Sequence, residues 1–342
     1  MKRPIFVLGC HKSGTGLVRS LIDGAPEVFC IPFETHFFRQ VGDWVEYPLR
    51  ACLPESRTML DFASSVKKWV RRVKTTDDRA GGSVNSACDQ INLESFDCSL
   101  REGLKTIGSL DTRLSTDIYQ PLFLVYANAI ASSFGGNSLG SERLVEKSVD
   151  HLEFAPLLSK MFGDASFIHI LRNPYANISS LRSYKSNHGY PNLTPLIRSI
   201  YSSFYYAHKN KQIIDNYHTI RYENLVSQTK KEMEQALTSI DVKYSSKNLK
   251  PTVFGSHWYG NSSTEQDLKD VSLKRARSWK NEVEALEICA VNSVFDNLIE
   301  TFGYERIDSS LSLLPKKGEG FIRYIKNRLL SQRGLDNVRF RF

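Results

Sequence analysis

The amino terminus constrains the fold most, because a fully apolar segment runs directly into a glycine-containing loop. Residues 4–9, PIFVLG, have the uninterrupted apolar pattern of a strand buried in a parallel sheet. The loop GCHKSGTG follows, and residues 16–23 then carry apolar side chains at helical spacing. A buried strand, a loop and a helix in immediate succession predict the first unit of an α/β fold.

Three later segments extend this prediction. Residues 27–33, 166–171 and 217–221 have strand patterns, and the last two are each followed by a helical pattern. Helical spacing of apolar residues also dominates the intervening region, about 40–140. We therefore predict an α/β fold, a three-layer parallel sheet flanked by helices. It forms a single domain over residues 1–314 with a helical insertion at about 40–140.

Composition excludes several other classes of protein. The chain has 342 residues, of which 41% are hydrophobic and 24% charged, as is ordinary for a globular protein. No apolar run approaches the ~18 residues that a membrane-spanning helix needs. The six cysteines form no C-x-x-C pair, which argues against a zinc ribbon or a disulfide scaffold. These features predict a cytoplasmic protein with reduced thiols.

The basic charge is concentrated at the carboxyl terminus. Segment 315–342 has eight basic and two acidic side chains and so carries +6 of the net charge of +8. The rest of the chain is nearly balanced, so the charge does not point to a nucleic-acid partner. An apolar stripe within the segment predicts a basic amphipathic tail. We favour a tail packed on the body with a solvated basic face, and peripheral contact with a membrane is the alternative.

The loop after the first predicted strand has the features of an anion site. Backbone N–H groups are free where a strand passes into a helix, and the helix dipole is positive there. Gly9 and Gly14 have the spacing of a nucleotide-binding loop. However, Thr15 and Gly16 stand where a nucleoside-triphosphate loop needs lysine and then serine or threonine. Lys12 lies inside the loop instead, which predicts one anion held beside a lysine, without a metal, rather than an ATPase or a kinase.

Residues 9–35, GCHKSGTGLVRSLIDGAPEVFCIPFET, resemble the 5′-phosphosulfate loop and following segment of sulfotransferases that use 3′-phosphoadenosine 5′-phosphosulfate (PAPS). The motifs are most similar to those of the tyrosylprotein and bacterial sulfotransferase branch, in which the loop reads R-S-G-T-T-L. Here Lys12 replaces the arginine and Gly16 the second threonine. The resemblance implies a P-loop-like fold and contacts to PAPS by loop residues, namely Lys12, Ser13, Gly14, Thr15 and Gly16.

Three other segments resemble family motifs in the same order along the chain. SFIHILRNPYANISSLRSY resembles the 3′-phosphate motif, and this implies phosphate contacts by Arg172 and Ser180. IRYENLV resembles the segment whose tyrosine lies near the adenosine, which is Tyr222 here. VEKSVDHLEF resembles a lysine segment of the site and places Lys147 there.

The segment SSTEQDLKDVSLKRARSWKNEV resembles the part of the family that closes over the cofactor. The resemblance implies cofactor contacts by Ser263 and Lys269. At the late basic position before the tryptophan this chain has Ser278, so Arg277 or Lys280 is the alternative source of that contact.

The resemblance also implies a mechanism, in-line attack of an acceptor hydroxyl on the sulfuryl group with a carboxylate base. Glu34, at the end of the second predicted strand, takes the place of that base, and His36 is the competing base. On a strand the two side chains would point to the same side. Burial would have to raise the Glu34 pKa above its ordinary ~4.3 for it to work well near neutral pH. Lys12 and Lys147 would stabilise the charge that is transferred.

The sequence leaves the acceptor open. A carbohydrate or glycolipid hydroxyl is favoured, and a peptide tyrosine or a small alcohol is the alternative. Aromatic residues of the insertion can stack on sugars, although core packing is their commoner use; they include Trp44, Tyr47, Trp69 and Tyr119. Two other functions stay open from the sequence, a P-loop small-molecule kinase and a non-enzymatic basic protein that binds a membrane or nucleic acid. The oligomeric state is not indicated.

Overall fold

A five-stranded parallel sheet organises the residues that the structure, a computed structural model, describes. These are residues 3–42, 57–75, 87–135, 142–186, 193–258, 260, 279–295 and 297–307. The strands are β1 (Ile5–Gly9), β2 (Val28–Cys30), β3 (Arg143–Glu146), β4 (Ser166–Leu171) and β5 (Tyr217–Arg221). They lie in the order β2-β3-β1-β4-β5, each parallel to its neighbours. The predicted parallel α/β sheet is confirmed.

Helices cover both faces of the sheet. In the region after β1 and in the insertion they are α1 (Thr15–Ile22), α2 (Phe37–Val41), α3 (Met59–Thr75), α4 (Leu93–Ile107) and α5 (Tyr119–Ser133). The later helices are α6 (Ala155–Phe162), α7 (Pro174–Ser186), α8 (Leu193–Ile213), α9 (Tyr222–Ser227), α10 (Thr229–Ser239), α11 (Ala285–Phe295) and α12 (Leu298–Thr301). A small hairpin joins β6 (Thr252–Val253) to β7 (Ser256–His257). No helix in the described ranges is both long and apolar enough to cross a membrane.

The central strand β1 shows how the layers form. Its residues are fully buried and alternate between the two faces of the sheet. Ile5 and Val7 pack in the cluster that includes α1 and α10, whereas Phe6 and Leu8 pack against the insertion helices. Because both faces of the sheet are covered, all residues of β1 are apolar, and this continuous apolar pattern is what predicted the strand from the sequence.

β3 is the strand that the sequence pattern missed. Its residues RLVE begin and end with charged side chains, although all four are buried. Arg143 is satisfied inside the fold, where Nη2 donates to Ser166 Oγ at 3.2 Å. Glu146 is also satisfied, since its Oε2 lies 2.8 Å from His151 Nδ1. His151 is five residues from Glu146, whereas Glu146 also accepts from the Thr35 hydroxyl, 111 residues away. The charged ends of β3 interrupt the apolar pattern that marks a buried strand, and this is why the sequence pattern missed it.

β2 is shorter than the predicted strand at 27–33. Its pairing as a strand with β3 ends at Cys30, although the Ile31 N–H still donates to Val145 O at 3.0 Å. Pro32 has no N–H to continue the ladder. The prediction that Glu34 stands at a strand end is therefore wrong; it lies in the segment between β2 and α2.

The helical insertion is confirmed by α3, α4 and α5, whose apolar stripes join the cluster beneath Phe6 and Leu8. Residues 43–56, 76–86 and 136–141 of the insertion lie outside the described ranges, as does the predicted tail at 315–342. The extent of the domain, 1–314, stays a prediction.

Candidate active site

Four loops meet at one edge of the sheet. They follow β1, β3, β4 and β5, whose carboxyl ends lie side by side, and open α/β sheets bind ligands at this edge. The backbone oxygen of Lys12 accepts a hydrogen bond from Arg172 Nη1 at 2.8 Å. The same guanidinium lies 4.9 Å from the centre of the Tyr222 ring. Three residues predicted from three separate motifs are therefore in direct contact.

The loop after β1 has a backbone that requires glycine at one position. Lys12 and Gly14 have φ angles of 62° and 110°, in the region where L side chains are disfavoured. A Cβ on Gly14 would lie 2.7 Å from Cδ2 of Tyr222. Ser13 closes the loop, since its Oγ donates to Cys10 O at 2.7 Å. Ser13 thus supports the loop shape, and its predicted contact to the cofactor stays a prediction.

Arg172 is held in place by one hydrogen bond, and another of its N–H donors has no partner among the described residues. It is 9% exposed, and its Nε is buried without a hydrogen-bond partner among the described residues. A buried unsatisfied donor is costly, and it commonly marks a place where a further acceptor binds. Asn177, on the helix that follows, also holds the loop by donating to His11 O at 2.9 Å. The loop and the arginine therefore form one unit.

The side chain of Lys12 lies over α7. Its Nζ is 4.1 Å from the centre of the Tyr184 ring, a cation–π distance. Ser180 is half-buried on the same helix, one turn from Tyr184, so the two share a helix face. The helix that carries the predicted 3′-phosphate serine thus also contacts the predicted catalytic lysine.

Glu34 and Lys147 form an ion pair on the neighbouring side of the sheet edge, with Lys147 Nζ donating to Glu34 Oε1. The Val149 N–H donates to Oε2 at 3.4 Å. Burial alone would raise the pKa of the Glu34 carboxyl, but the charges of Lys147, His36 and His11 outweigh it and hold that pKa well below its ordinary range. The expectation of a raised Glu34 pKa is therefore wrong.

His36 does lie beside Glu34, but not for the reason predicted. It is not on a strand; its φ of 50° places it in the left-handed region just before α2. Its Nε2 is 3.6 Å from Glu34 Oε2, and its Nδ1 is 3.0 Å from Asp150 Oδ1. The His36 N–H donates to Ser148 Oγ at 3.1 Å. The ring is thus held between two carboxylates.

The insertion helices hold the segment that carries these side chains. Trp69 of α3 donates from Nε1 to Glu34 O at 2.8 Å, and its ring meets the His36 ring edge-on at 4.9 Å. Tyr126 of α5 donates from its hydroxyl to Thr35 O at 3.4 Å. Trp69 was named from the sequence as an aromatic residue of the insertion, but its contacts with Glu34 and His36 were not predicted. Asp150 was not predicted as a site residue; its position three residues after Lys147, in VEKSVDHLEF, was its only signal.

Glu34, His36 and Asp150 also have the composition of a metal site. One ligand atom from each lies within 4.8 Å of the others, a spacing that a divalent cation could bridge. The cation that Glu34 contacts in this structure is the ammonium group of Lys147. The prediction that no metal takes part stays a prediction.

Most residues of the segment predicted to close over the cofactor fall outside the described ranges, namely Ser263, Lys269, Arg277 and Ser278. Lys280 lines a cavity of about 520 Å³, whose walls include neighbours of the predicted cofactor residues rather than those residues themselves; they are Asn173, Arg221, Trp279, Val283, Ile288 and residues 303–307.

Glu223, next to Tyr222, organises this region. Its Oε1 accepts the Asn173 N–H at 2.9 Å and its Oε2 accepts the Tyr304 hydroxyl at 2.9 Å. It therefore links the start of α7 to the start of α9 and to the segment after α12, and its role is structural.

A parallel sheet with an anion loop, a buried arginine and a lysine–carboxylate pair at one edge defines a group-transfer enzyme of the P-loop-like class. The sequence model of the sulfotransferase family matches residues 4–246. The chain therefore belongs to the sulfotransferase family and is a PAPS-dependent enzyme. This assignment replaces the kinase and the non-enzymatic alternatives.

Solved structures agree in fold. The sulfotransferase domain of the olefin synthase from Synechococcus PCC 7002 is 19% identical, with a TM-score of 0.53 over 89% of this chain and 97% of that one. The sulfotransferase domain from the curacin biosynthetic pathway is 18% identical, with a TM-score of 0.50 over 90% and 99%. At these identities the likeness shows the fold. No curated protein sequence matches the chain.

Proposed function

We propose that this sulfotransferase moves the sulfuryl group of PAPS to a hydroxyl of a carbohydrate or glycolipid, with Glu34 as the base. The observation that carries the donor part is the contact between Arg172 and the loop, in which a buried guanidinium keeps one donor without a partner. Such a group is suited to a phosphate of the nucleotide. A peptide tyrosine and a small alcohol are the alternative acceptors.

The residues at the sheet edge fit PAPS by their chemistry. Thr15 and the N–H groups of the loop would hold the 5′-phosphosulfate at the start of α1. Arg172 and Ser180 would bind the 3′-phosphate, and Tyr222 would lie near the adenosine. When bound, PAPS supplies a sulfuryl group whose bond to the phosphate oxygen breaks as a bond to the acceptor oxygen forms.

The chain's own residues then have three tasks. The ammonium groups of Lys12 and Lys147 would stabilise the negative charge that develops during transfer of the sulfuryl group. Glu34 is held ionised by its surroundings and so can accept the proton of the hydroxyl, although its lowered pKa makes it a weaker base than a carboxylate with a raised pKa. His36, 3.6 Å away, is the alternative base. The loop and α7 orient the donor relative to these groups.

The acceptor side of the site borders the insertion. Trp69 is half-buried beside Glu34 and His36, so an aromatic ring lies next to the base, and the face of such a ring is a surface on which a sugar can stack. Tyr119 is in the core instead, packed edge-on against Phe37. Trp44 and Tyr47 lie outside the described ranges.

Binding of adenosine 3′,5′-bisphosphate, the desulfated product, tests the donor assignment. At ~100 times its Kd this ligand should stabilise the protein by ~2.7 kcal/mol, which a thermal melt detects. We expect Mg·ADP and 5′-AMP to stabilise it much less, because neither carries a 3′-phosphate. Arg172→Ala should abolish most of the stabilisation, whereas Arg101→Ala, an exposed arginine on α4, should not. An equal response to Mg·ADP would contradict the assignment.

Gly14→Ala is expected to weaken binding of the same bisphosphate by at least tenfold. The added Cβ would meet the Tyr222 ring at 2.7 Å, so the ring, the loop or both must move. Gly135→Ala is the matched control, because Gly135 has a φ of 83° and no atom of the described residues lies within 4 Å of the added Cβ. Both variants should lose ~1–3 kcal/mol of stability from backbone strain, but only Gly14→Ala should lose affinity. Equal affinity in both would contradict this role of Gly14.

A further inference from the structure

We propose that Asp150 is a positioning residue of the reaction: it fixes the imidazole of His36 with its Nδ1 proton toward Asp150 and its Nε2 toward Glu34 and the acceptor hydroxyl. The inference deepens the proposed function and rests on it. It concerns the proton that the hydroxyl loses as the new oxygen–sulfur bond forms. That proton ends on the Glu34–His36 pair, while Asp150 itself takes none.

The geometry fixes the ring from two directions. Asp150 Oδ1 lies 3.0 Å from Nδ1, and the Asp150 side chain is only 5% exposed. At the backbone, the His36 N–H donates to Ser148 Oγ at 3.1 Å. Because an ionised carboxylate can only accept, the ring atom at hydrogen-bond distance from Asp150, Nδ1, must carry a proton. Nε2 lies 3.6 Å from Glu34 Oε2, too far for a hydrogen bond, so we assign it as the atom that exchanges a proton. A carboxylate that holds a histidine in one tautomer is an established catalytic device.

The turn after β3 is arranged around this segment. Lys147 and the Val149 N–H contact Glu34, and Ser148 and Asp150 contact His36. Along this short turn, successive residues therefore contact Glu34 and His36 in alternation. Asp150 is one of these contacts rather than an isolated acid on the surface.

Beneath them lies a second, fully buried pair. Glu146 accepts from the Thr35 hydroxyl at 2.8 Å, and its other oxygen lies 2.8 Å from His151 Nδ1. Thr35 is the residue between Glu34 and His36, so this pair anchors the middle of the segment. Asp150 consequently has a rigid partner to act on, since the backbone that carries the imidazole cannot shift away from it.

Anionic groups face the ring. Asp150 and Glu34 lie next to it, and among the described residues Lys147, His11, His151 and Arg19 are titratable groups in electrostatic contact with these two carboxylates. Burial alone would raise the pKa of Asp150, but His36 and then His151 outweigh it and lower that pKa. Asp150 therefore stays ionised and acts on the ring only as an acceptor.

The test is Asp150→Asn in the full-length protein, with transfer of the sulfuryl group of radiolabelled PAPS to water as the probe reaction. We expect kcat to fall by about 10-fold to 100-fold, as happens when a functional histidine loses its carboxylate partner. KM for PAPS and the melt shift with adenosine 3′,5′-bisphosphate should not change. The acid limb of the kcat profile should move to lower pH, because imidazolium is less stable without the negative charge.

Two comparisons separate positioning from mere packing. Glu153→Gln, in the same turn but facing Tyr206, should keep the kcat and pH profile of the wild type. Asp150→Asn added to His36→Gln should have no further effect, because Asp150 acts only through the ring. An additional loss in the double variant would overturn the proposal, as would a wild-type pH profile in Asp150→Asn.

A measurement on the wild type tests the proposal even if Asp150→Asn does not fold. Nitrogen chemical shifts of labelled histidine, with His36 assigned by His36→Gln, should show a proton on Nδ1, the atom that faces Asp150. A proton on Nε2 with Nδ1 bare would overturn the proposal. If the wild type neither binds the bisphosphate nor releases sulfate from PAPS, the proposed function itself fails; if it does both, only the role of Asp150 is decided by these experiments.

Discussion

Replacing Lys12 by alanine is expected to lower kcat by two or more orders of magnitude. In the proposed reaction the ammonium group stabilises the charge that develops between the phosphate and the sulfuryl group, and loss of one such donor costs about 10²–10³ in rate. The backbone of the loop should survive, because the hydrogen bond that holds it uses the Lys12 carbonyl rather than the side chain. Rates of sulfuryl transfer from radiolabelled PAPS measure the effect.

Lys12→Arg and Lys209→Ala complete this experiment. The resemblance to the tyrosylprotein branch places an arginine at position 12, so we expect Lys12→Arg to recover much of the lost rate. Lys209 is exposed on α8, and its replacement should leave kcat unchanged. The melting temperature of Lys12→Ala should stay near that of the wild type. A turnover close to that of the wild type in Lys12→Ala would refute the catalytic role.

Glu34→Gln is expected to lower kcat by at least 100-fold, within the range typical of general acid–base groups. The amide keeps the shape of the side chain but neither accepts the proton of the hydroxyl nor carries the charge that pairs with Lys147. Binding of adenosine 3′,5′-bisphosphate should be preserved, since the predicted nucleotide contacts lie on the loop, α7 and Tyr222. Glu300→Gln, exposed on α12, is the matched control. Unchanged turnover in Glu34→Gln would eliminate Glu34 as the base and leave His36.

The same variant has a predictable effect on acid stability. The pKa of Glu34 is depressed in the folded protein, so its ionised form stabilises the fold above the ordinary pKa of ~4.3. That contribution is lost as the pH falls below this value. The difference in melting temperature between the wild type and Glu34→Gln should therefore be largest at neutral pH and shrink in acid. A difference that grows in acid would mean that the ion pair with Lys147 does not hold in solution.

The sequence by itself indicated most of the sheet and the loop after β1. β1 and β4 are largely apolar segments because both faces of a parallel sheet are buried there, and this pattern is local. β5, YHTIR, is mixed in polarity and only partly buried. The loop after β1 could also be predicted, since a loop between a strand and a helix presents free N–H groups wherever it occurs. Lys12, Arg172 and Tyr222 come from separate motifs, and parallel strand order brought them into contact.

Only the tertiary structure decided the base region. β3 contains buried charged residues, and one partner of Glu146, Thr35, is 111 residues away in the chain. The segment carrying Glu34 is held by Trp69, Tyr126 and the turn after β3. The state of Glu34 followed from this packing: burial alone predicted a raised pKa, but Lys147 in contact reversed the sign. The same packing brought Asp150 into contact with His36. Ion pairs between segments about 110 residues apart depend on positions in space, which no local pattern of residues encodes.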